Sequence, residues 1–159
     1  MNTDYSLVAR QIEALIDGEL DAIAVLSNVS AILNESMDNI NWVGFYFMKN
    51  NQLVLGPFQG KVACYRIPLD KGVCGKAVST NSIQRIADVH AFPGHIACDS
   101  ASESEIVLPL EVNGQIVGVL DIDAPVLDRF SSDDEIGLKA CVDALTAHLA
   151  KCNLEVISN

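Results

Sequence analysis

The chain has 159 residues, half of them apolar, and a formal net charge of −11 at pH 7. This length suffices for one domain with a substantial core and is short for two. The acidic charge argues against nucleic acid and anionic membrane surfaces as partners, because both need a basic face. No apolar run approaches the roughly 20 residues that span a bilayer, and the N-terminus lacks the features of a signal peptide. We therefore expect one cytoplasmic domain over residues 1–159.

Helices are predicted at both ends of the chain. Apolar residues at positions 5, 8, 12 and 15 recur at helical spacing before Gly18, and a second stripe runs from Leu20 to about Asn34. Near the C-terminus, the apolar positions 138–152 keep the same spacing. The segment FSSDDE opens this last helix, with Ser132 and Glu135 spaced as a capping box.

Strands are predicted through the middle of the chain. The segment 41–48 is rich in aromatic and β-branched residues, which is typical of a strand buried on both faces. A KNNQ turn leads to the strand LVLG, and 61–67 is predicted as a third strand. A short helix over 72–80, a strand SIQRI and an irregular stretch over 88–101 follow.

Two further strands, EIVLPLEV and QIVGVLDID, flank Asn113-Gly114, the clearest hairpin signal in the sequence. The full order is helix, helix, three strands, short helix, strand, hairpin, helix. This order predicts an α+β fold in which a largely antiparallel sheet is flanked by N- and C-terminal helices.

The five cysteines lie at positions 64, 74, 98, 141 and 152, without a CxxC pair. In a chain without a secretion signal they do not indicate a disulfide framework. Cys141 and Cys152 share the helical spacing of their segment, so we interpret both as core residues. Cys64, Cys74 and Cys98 lie in strand or loop contexts and need another explanation.

Three segments, WVGFY, GVCGKA and PLEVNGQIVGVLDID, together resemble a GAF domain over nearly the whole chain. A more specific resemblance is to the GAF-type free methionine-(R)-sulfoxide reductases. The residues that carry it, at their spacings, are Trp42, Tyr46, Cys64, Cys74, Cys98, Glu105, Asp121 and Asp123. The resemblance implies reduction of free methionine-(R)-sulfoxide, recycling by thioredoxin, a homodimer, and no cofactor or metal.

The resemblance also implies roles for the thiols. Cys98 is the expected attacking thiol, which becomes a sulfenic acid. Cys64 is the expected first resolving thiol, and Cys74 exchanges onward or acts as an alternative resolver. This assignment agrees with the chemistry, because a sulfenic acid condenses with a second thiol to a disulfide that an external dithiol then reduces.

Reduction of a sulfoxide also needs a proton for its oxygen. Clustered carboxyl groups can hold one near neutrality, because two acids in one site do not both ionise cheaply. We assign Glu105 and Asp123 to the sulfoxide oxygen, and Asp121 to the substrate ammonium or to orienting its neighbours. Trp42 and Tyr46 share one face of their strand and form the expected aromatic wall of the pocket. Without the resemblance, these aromatic residues would be ordinary core.

Asp121 and Asp123 alternate along their strand and leave one face about 7 Å apart, and the hairpin register decides whether Glu105 joins them. A two-residue turn at Asn113-Gly114 places Glu105 on the opposite face. A three-residue loop ending in a bulge at Gly114, or a bulge at Pro109, flips the face. Because the chemistry needs close carboxyl groups, we expect the three-residue loop, with Glu105 directly opposite Asp121.

Two other functions fit the sequence: a stand-alone GAF module that binds a nucleotide or small metabolite, and a thiol redox sensor that signals through a disulfide. Zinc binding by His90, His95 and Cys98 is disfavoured because the loop offers no convincing fourth ligand. Bridging Cys98 to Cys64 requires their Cα atoms to approach within about 7 Å. We therefore expect segment 88–102 to act as a lid over the pocket.

Overall fold

The structure is a computed structural model and describes residues 2–95 and 101–158. Its elements, in chain order, are α1 (Tyr5–Ile16), α2 (Ala22–Ser36), β1 (Trp42–Lys49), β2 (Gln52–Gly60), β3 (Arg66–Pro68), α3 (Gly72–Thr80), β4 (Gln84–Ile86), β5 (Ser104–Val112), β6 (Gln115–Ala124) and α4 (Ser132–Leu149). A short 3-10 turn, Val89–Ala91, follows β4. The order and the α+β class are confirmed.

One six-stranded sheet organises the fold, in the order β3-β2-β1-β6-β5-β4, and its neighbouring strands pair antiparallel. Helices α1, α2 and α4 cover one face and bury the larger hydrophobic core there. Helix α3 covers part of the other face, over a smaller core that contains Trp42, Tyr46 and Cys74. Polar side chains that leave the sheet towards α3 are therefore separated from the main core.

Each long helix begins at a capping side chain. Asp4 and Asp21 accept hydrogen bonds from the first turns of α1 and α2. Helix α4 has a capping box, but it is formed by Ser131 and Asp134, one residue before the predicted pair. Asp134 also accepts a hydrogen bond from the Arg129 side chain at 3.1 Å, and this partly buried ion pair favours the earlier start.

The predicted third strand is wrong over most of its length, because β3 contains only Arg66–Pro68. Residues 61–65 form a connection between β2 and β3, and Cys64 lies in it. Two carbonyls of this connection accept side-chain hydrogen bonds instead of pairing in a ladder. Trp42 Nε1 donates to the Lys61 carbonyl at 3.2 Å, and the Tyr46 hydroxyl donates to the Cys64 carbonyl at 3.1 Å.

The β5–β6 hairpin has a two-residue turn, with Asn113 and Gly114 at φ 52° and 80°, so the expected three-residue loop is wrong. The register nevertheless shifts between Leu110 and Glu111, since Glu111 pairs with Ile116 and Leu110 with Gly118.

The residue left over between these two pairs is Val117, which therefore forms a bulge on β6. The side chain of Val117 packs into the core on the helix side of the sheet, and this burial favours a bulge here over one at Pro109. As a result Glu105 pairs with Asp123, not with Asp121 as expected. The prediction that Glu105 shares a face with Asp121 and Asp123 is confirmed. The cause is the bulge at Val117 and not a three-residue loop, and the direct partner of Glu105 is Asp123.

No helix in the described residues combines the length and the apolar composition that a membrane span requires.

Candidate active site

Three acidic side chains meet on the α3 side of the sheet: Glu105 from β5, and Asp121 and Asp123 from β6. We call them the carboxyl cluster. Glu105 is directly opposite Asp123, and its side chain forms hydrogen bonds with both aspartates. Glu105 and Asp121 are only 6% and 5% exposed. The sheet therefore holds several acids close together, largely out of water.

Aromatic side chains from β1 and β2 form a wall beside the carboxyl cluster. Trp42 lies opposite Asp123 across β1 and β6. Its ring stacks on Tyr46 with centroids 5.8 Å apart and on Phe58 at 5.1 Å. Trp42 and Tyr46 are both almost fully buried. Their polar tips bond to Lys61 and Cys64 as described above, so the wall also fixes the segment that carries Cys64.

Cys74 faces the cluster from the first turn of α3. It is 3% exposed, and its side chain is hydrogen-bonded to Asp121. Burial raises the pKa of the Cys74 thiol, and the charges of Asp121 and Glu105 raise it further. A thiol whose pKa is raised stays protonated at neutral pH, so Cys74 is a hydrogen-bond donor to Asp121. It is a poor nucleophile, because only the thiolate attacks.

Burial also raises the pKa of Glu105, with further contributions from the charges of Asp121 and Asp123. The pKa of Asp121 is raised by burial too, while hydrogen bonds with Glu105 and Cys74 act in the opposite direction. Burial likewise raises the pKa of Tyr46, so its hydroxyl stays protonated. The cluster thus retains a proton at a pH where exposed carboxyl groups have lost theirs.

Asp121 has one unusual oxygen. Its Oδ1 is buried and has no hydrogen-bond partner among the described residues. Asp121 lines the pocket, so this acceptor is available to a bound group that brings a donor or a positive charge. A buried acceptor without a partner costs free energy until such a group arrives.

The structure brings together six of the eight predicted site residues. The pocket is lined by Trp42, Tyr46, Cys74, Glu105, Asp121 and Asp123. Cys64 lies at its edge, next to the lining residue Ala63, and is disulfide-bonded. Cys98, the predicted attacking thiol, lies outside the described residues. The free thiols in the described part of the chain are Cys74, Cys141 and Cys152.

Seven lining residues were not predicted from the sequence. Ile67, Gly72 and Val73 belong to β3 and the start of α3, and the other four are Val62, Ala63, His95 and Ser102. The pKa of His95 is lowered by burial and by His90, so its imidazole is neutral at pH 7. Val62, Ala63, His95 and Ser102 are close to Cys64 or Cys98 in the sequence, and this proximity was the available signal that they line the pocket.

Cys141 and Cys152 lie away from the pocket. Cys141 packs in the core on the helix side of the sheet, and burial raises its pKa to about 11. Cys152 follows α4 and packs against the same core. The core interpretation is confirmed for Cys141, whereas Cys152 is half-buried at the edge of that core. The proposed lid movement of segment 88–102 includes residues 96–100, which lie outside the described residues, and it stays a prediction.

The comparisons agree with this geometry. Residues 7–149 match the GAF domain. The chain is 56% identical to the free methionine-R-sulfoxide reductase of Escherichia coli over 92% of this chain and 88% of that protein. It superposes on fRMsr of Staphylococcus aureus in complex with substrate, with TM-score 0.90 and 53% identity, over 94% and 98% of the two chains. It also superposes on the free methionine-R-sulfoxide reductase of Neisseria meningitidis in complex with its substrate, with TM-score 0.89 and 42% identity, over 92% and 89%. The chain belongs to the free methionine-R-sulfoxide reductase family of GAF-domain proteins.

Proposed function

We propose that this protein is an enzyme that reduces free methionine-(R)-sulfoxide to methionine. The observation that carries the proposal is the carboxyl cluster, buried on one face of the sheet and walled by Trp42 and Tyr46. The substrate named for the Escherichia coli relative, and the substrate complexes of the two structural relatives, support the same reaction.

The cluster suits a substrate that brings both a cation and an oxygen to be protonated. A free amino acid carries an ammonium group, which Asp121 Oδ1 accepts as its missing partner. Glu105 and Asp123, which are directly opposite each other, share the proton that the sulfoxide oxygen takes up. A methionine sulfoxide within a peptide has lost its ammonium, so the same site selects the free amino acid.

The chemistry proceeds in three balanced steps. The Cys98 thiolate attacks the substrate sulfur, and the sulfoxide oxygen takes a proton and passes to Cys98. Methionine is thereby released, and Cys98 is left as a sulfenic acid. The Cys64 thiol then attacks Cys98, which forms a disulfide and releases water. Finally a dithiol protein of the thioredoxin class reduces this disulfide to two thiols and is itself oxidised.

Cys64 is the better placed resolver of the two candidates. It lies in an exposed connection and is disulfide-bonded in this structure, which supports a redox role. Cys74, in contrast, is buried and has a raised pKa, which disfavours attack by its sulfur. Cys74 instead donates to Asp121 and helps to orient that carboxyl group.

The reductant has an apolar surface to bind beside Cys64. Val62 and Tyr65 are 88% and 78% exposed, although both are large hydrophobic residues. Exposed apolar groups of this kind are characteristic of protein contact surfaces. We therefore place the contact with thioredoxin on residues 62–65.

A coupled assay tests the function. NADPH oxidation is followed with thioredoxin reductase, thioredoxin and either free methionine-(R)-sulfoxide or its N-acetyl derivative. We expect turnover with the free amino acid only. Absence of NADPH oxidation with the free amino acid, when an established reductase is active in the same mixture, would overturn the proposal and favour a non-enzymatic GAF module. Equal rates with both substrates would overturn the role of the ammonium. The expected homodimer is tested separately by sedimentation equilibrium.

A further inference from the structure

Three buried side chains of the pocket could together bind a metal ion: Cys74, Glu105 and Asp121. The proposed reaction involves these residues but no metal ion. The Cys74 sulfur and one carboxylate oxygen from each acid all lie within 4.8 Å of one another. The three residues come from α3, β5 and β6, and all three are buried. Their proximity is therefore fixed by the packing of three elements, in contrast to acidic residues that meet on a mobile surface.

A second, independent observation points to a ligand for this group of residues. Asp121 Oδ1 is buried without a hydrogen-bond partner among the described residues, and Asp121 is 95% buried, with 5% of its surface exposed. A carboxylate oxygen in this position is stabilised either by a donor or by direct bonding to a cation. The ammonium of the substrate is one such cation, and a metal ion is another.

We propose that Cys74, Glu105 and Asp121 bind a divalent cation of intermediate softness, typified by Zn²⁺, and that this cation and the amino-acid substrate exclude one another. Zn²⁺ accepts cysteine sulfur at about 2.3 Å and carboxylate oxygen at about 2.0–2.2 Å. Tetrahedral ligands at these lengths lie roughly 3.6 Å apart, so side-chain movements of about 1 Å close the site. A thiolate ligand selects against Mg²⁺ and Ca²⁺, which prefer oxygen alone.

The pocket leaves room for the remaining coordination position. Its cavity volume is about 40 Å³, and a single water needs roughly 10–15 Å³. A cation with one bound water therefore fits without opening the wall formed by Trp42 and Tyr46. On binding, the cation displaces the thiol proton of Cys74 to solvent.

Mutual exclusion of the cation and the substrate rests on the proposed function, because it requires the substrate to use the same carboxyl groups. Binding of the cation by itself is independent of the proposed function. Zinc would act as a reversible inhibitor by occupying the oxygens that otherwise receive the ammonium and protonate the sulfoxide. A zinc-bound protein would then be unable to bind the amino acid until the metal is removed.

Cobalt titration of the reduced protein tests the cation site directly. Co²⁺ replaces Zn²⁺ in such sites, and a cobalt–thiolate bond gives a charge-transfer band in the near ultraviolet. The Cys98→Ala protein is used as the background, so that this thiol contributes nothing to the band. We expect the band in this background and with Cys141→Ala added, its loss with Cys74→Ser, and its displacement by Zn²⁺. A band that survives Cys74→Ser, or no band in the background protein, would overturn the proposal.

The carboxyl ligands provide a second set of variants in which the thiol is kept. Asp121→Asn and Glu105→Gln should each weaken Co²⁺ binding at least about tenfold, whereas Glu111→Gln, at an exposed position on the same strand as Glu105, should not. Circular dichroism verifies that each variant is folded. Unchanged cobalt affinity in folded Asp121→Asn and Glu105→Gln would contradict the assignment even if Cys74→Ser failed to fold.

Competition separates this inference from the proposed function. Free methionine-(R)-sulfoxide, added to the cobalt-loaded Cys98→Ala protein, should reduce the band, and N-acetyl-methionine-(R)-sulfoxide at equal concentration, which has no ammonium, serves as the control. An undiminished band in a protein whose wild-type form is an active reductase would refute the exclusion. A cobalt band in a wild-type protein without reductase activity would refute the proposed function and leave the cation site standing.

Discussion

Gly44 on β1 lies directly opposite Asp121 on β6. A Cβ atom at Gly44 would lie 2.7 Å from Cη2 of Trp42 and would also collide with Phe58. Because Gly44 has no side chain, the indole ring of Trp42 can occupy this space beside the carboxyl cluster. The position of the aromatic wall depends on a residue that contributes no atoms to it.

Substitution of Gly44 by alanine should move Trp42 and weaken substrate binding. Overpacking of this kind costs about 1–3 kcal/mol of stability, and a displaced ring should raise the KM for methionine sulfoxide. Trp42 is the single tryptophan of the chain, so its fluorescence reports the displacement. Gly18→Ala is the control, since Gly18 has a positive φ but no atom within 4 Å of the added methyl. Unchanged emission and KM in a folded Gly44→Ala protein would disprove this role.

Glu105→Gln and Asp123→Asn should each slow the reduction step much more than they affect folding. A positioned general acid contributes about 10²–10⁴-fold to a rate, so losses in that range are expected. Single-turnover release of methionine measures the step without interference from recycling. Glu111→Gln serves as the matched control, because Glu111 is on the same strand but exposed. A loss below tenfold for both variants would show that the proton comes from elsewhere.

Because Cys98 attacks the substrate before Cys64 resolves the sulfenic acid, substitutions of these two thiols should give different results. Cys98→Ser should release no methionine. Cys64→Ser should release about one methionine per site and then stop, because attack precedes resolution. Rapid quench followed by amino-acid analysis measures this stoichiometry, with Cys141→Ala as a control that keeps full turnover. Normal thioredoxin-dependent turnover by Cys64→Ser would transfer the resolving role to Cys74.

Stability should depend on pH through the carboxyl cluster. The pKa of Glu105 is raised above its ordinary value of 4.5, mainly by burial, so the native state binds this proton more tightly than the unfolded chain. Its stabilising contribution is complete below pH 4.5 and is lost as the pH rises towards the native pKa.

Glu105→Gln removes this dependence, since an amide does not ionise. The variant should gain stability relative to wild type as the pH rises from 5 to 8, by about 1.4 kcal/mol per pH unit until the native pKa is reached. For a chain of this size that is roughly 3–5 °C in melting temperature per unit. Calorimetry at several pH values provides the measurement, with Glu111→Gln for comparison. A constant difference between Glu105→Gln and wild type would mean that Glu105 ionises normally.

Val62→Ser and Tyr65→Ser should impair recycling by thioredoxin. Tyr65→Ser should do so without changing the first turnover, because Tyr65, unlike Val62, does not line the pocket. Each removes exposed apolar surface beside Cys64, so the KM for thioredoxin should rise several-fold. Ile136→Ser, on α4 and 70% exposed, removes similar surface elsewhere and should have no effect. Equal thioredoxin kinetics for all three variants would exclude residues 62–65 as the contact surface.

The sequence was most informative where local chemistry decides the outcome. Helical periodicity located α1 and α2, and Asn113-Gly114 located the hairpin, because each signal acts over a few residues. The predicted strand over 61–67 was wrong for the opposite reason. Its backbone is held by Trp42 and Tyr46, which are distant in sequence, and no local pattern records those bonds.

The residues of the site were named from family resemblance, and their grouping was argued from chemistry. The need for close carboxyl groups placed Glu105 on the correct face, but the expected three-residue loop was the wrong cause. The bulge at Val117 is set by packing against the core on the helix side of the sheet. The signal that the sequence offered for it was the adjacent Gly118, because a glycine inside a strand often marks a bulge. The hydrogen bond from Cys74 to Asp121 was missed as well, because it joins a helix to a strand.

The bulge at Val117 gives β6 one residue more than β5 has partners for. Deletion of Val117 would place Gly118 directly after Ile116, and Glu111 and Leu110 would keep their present partners in a regular ladder. Glu105 would still lie opposite Asp123, and the acids would stay on the α3 side of the sheet. The hairpin therefore holds a reserve of one residue. Loss of that residue is absorbed by loss of the bulge, whereas one residue added to β6 would need a second bulge to keep the acids on this face.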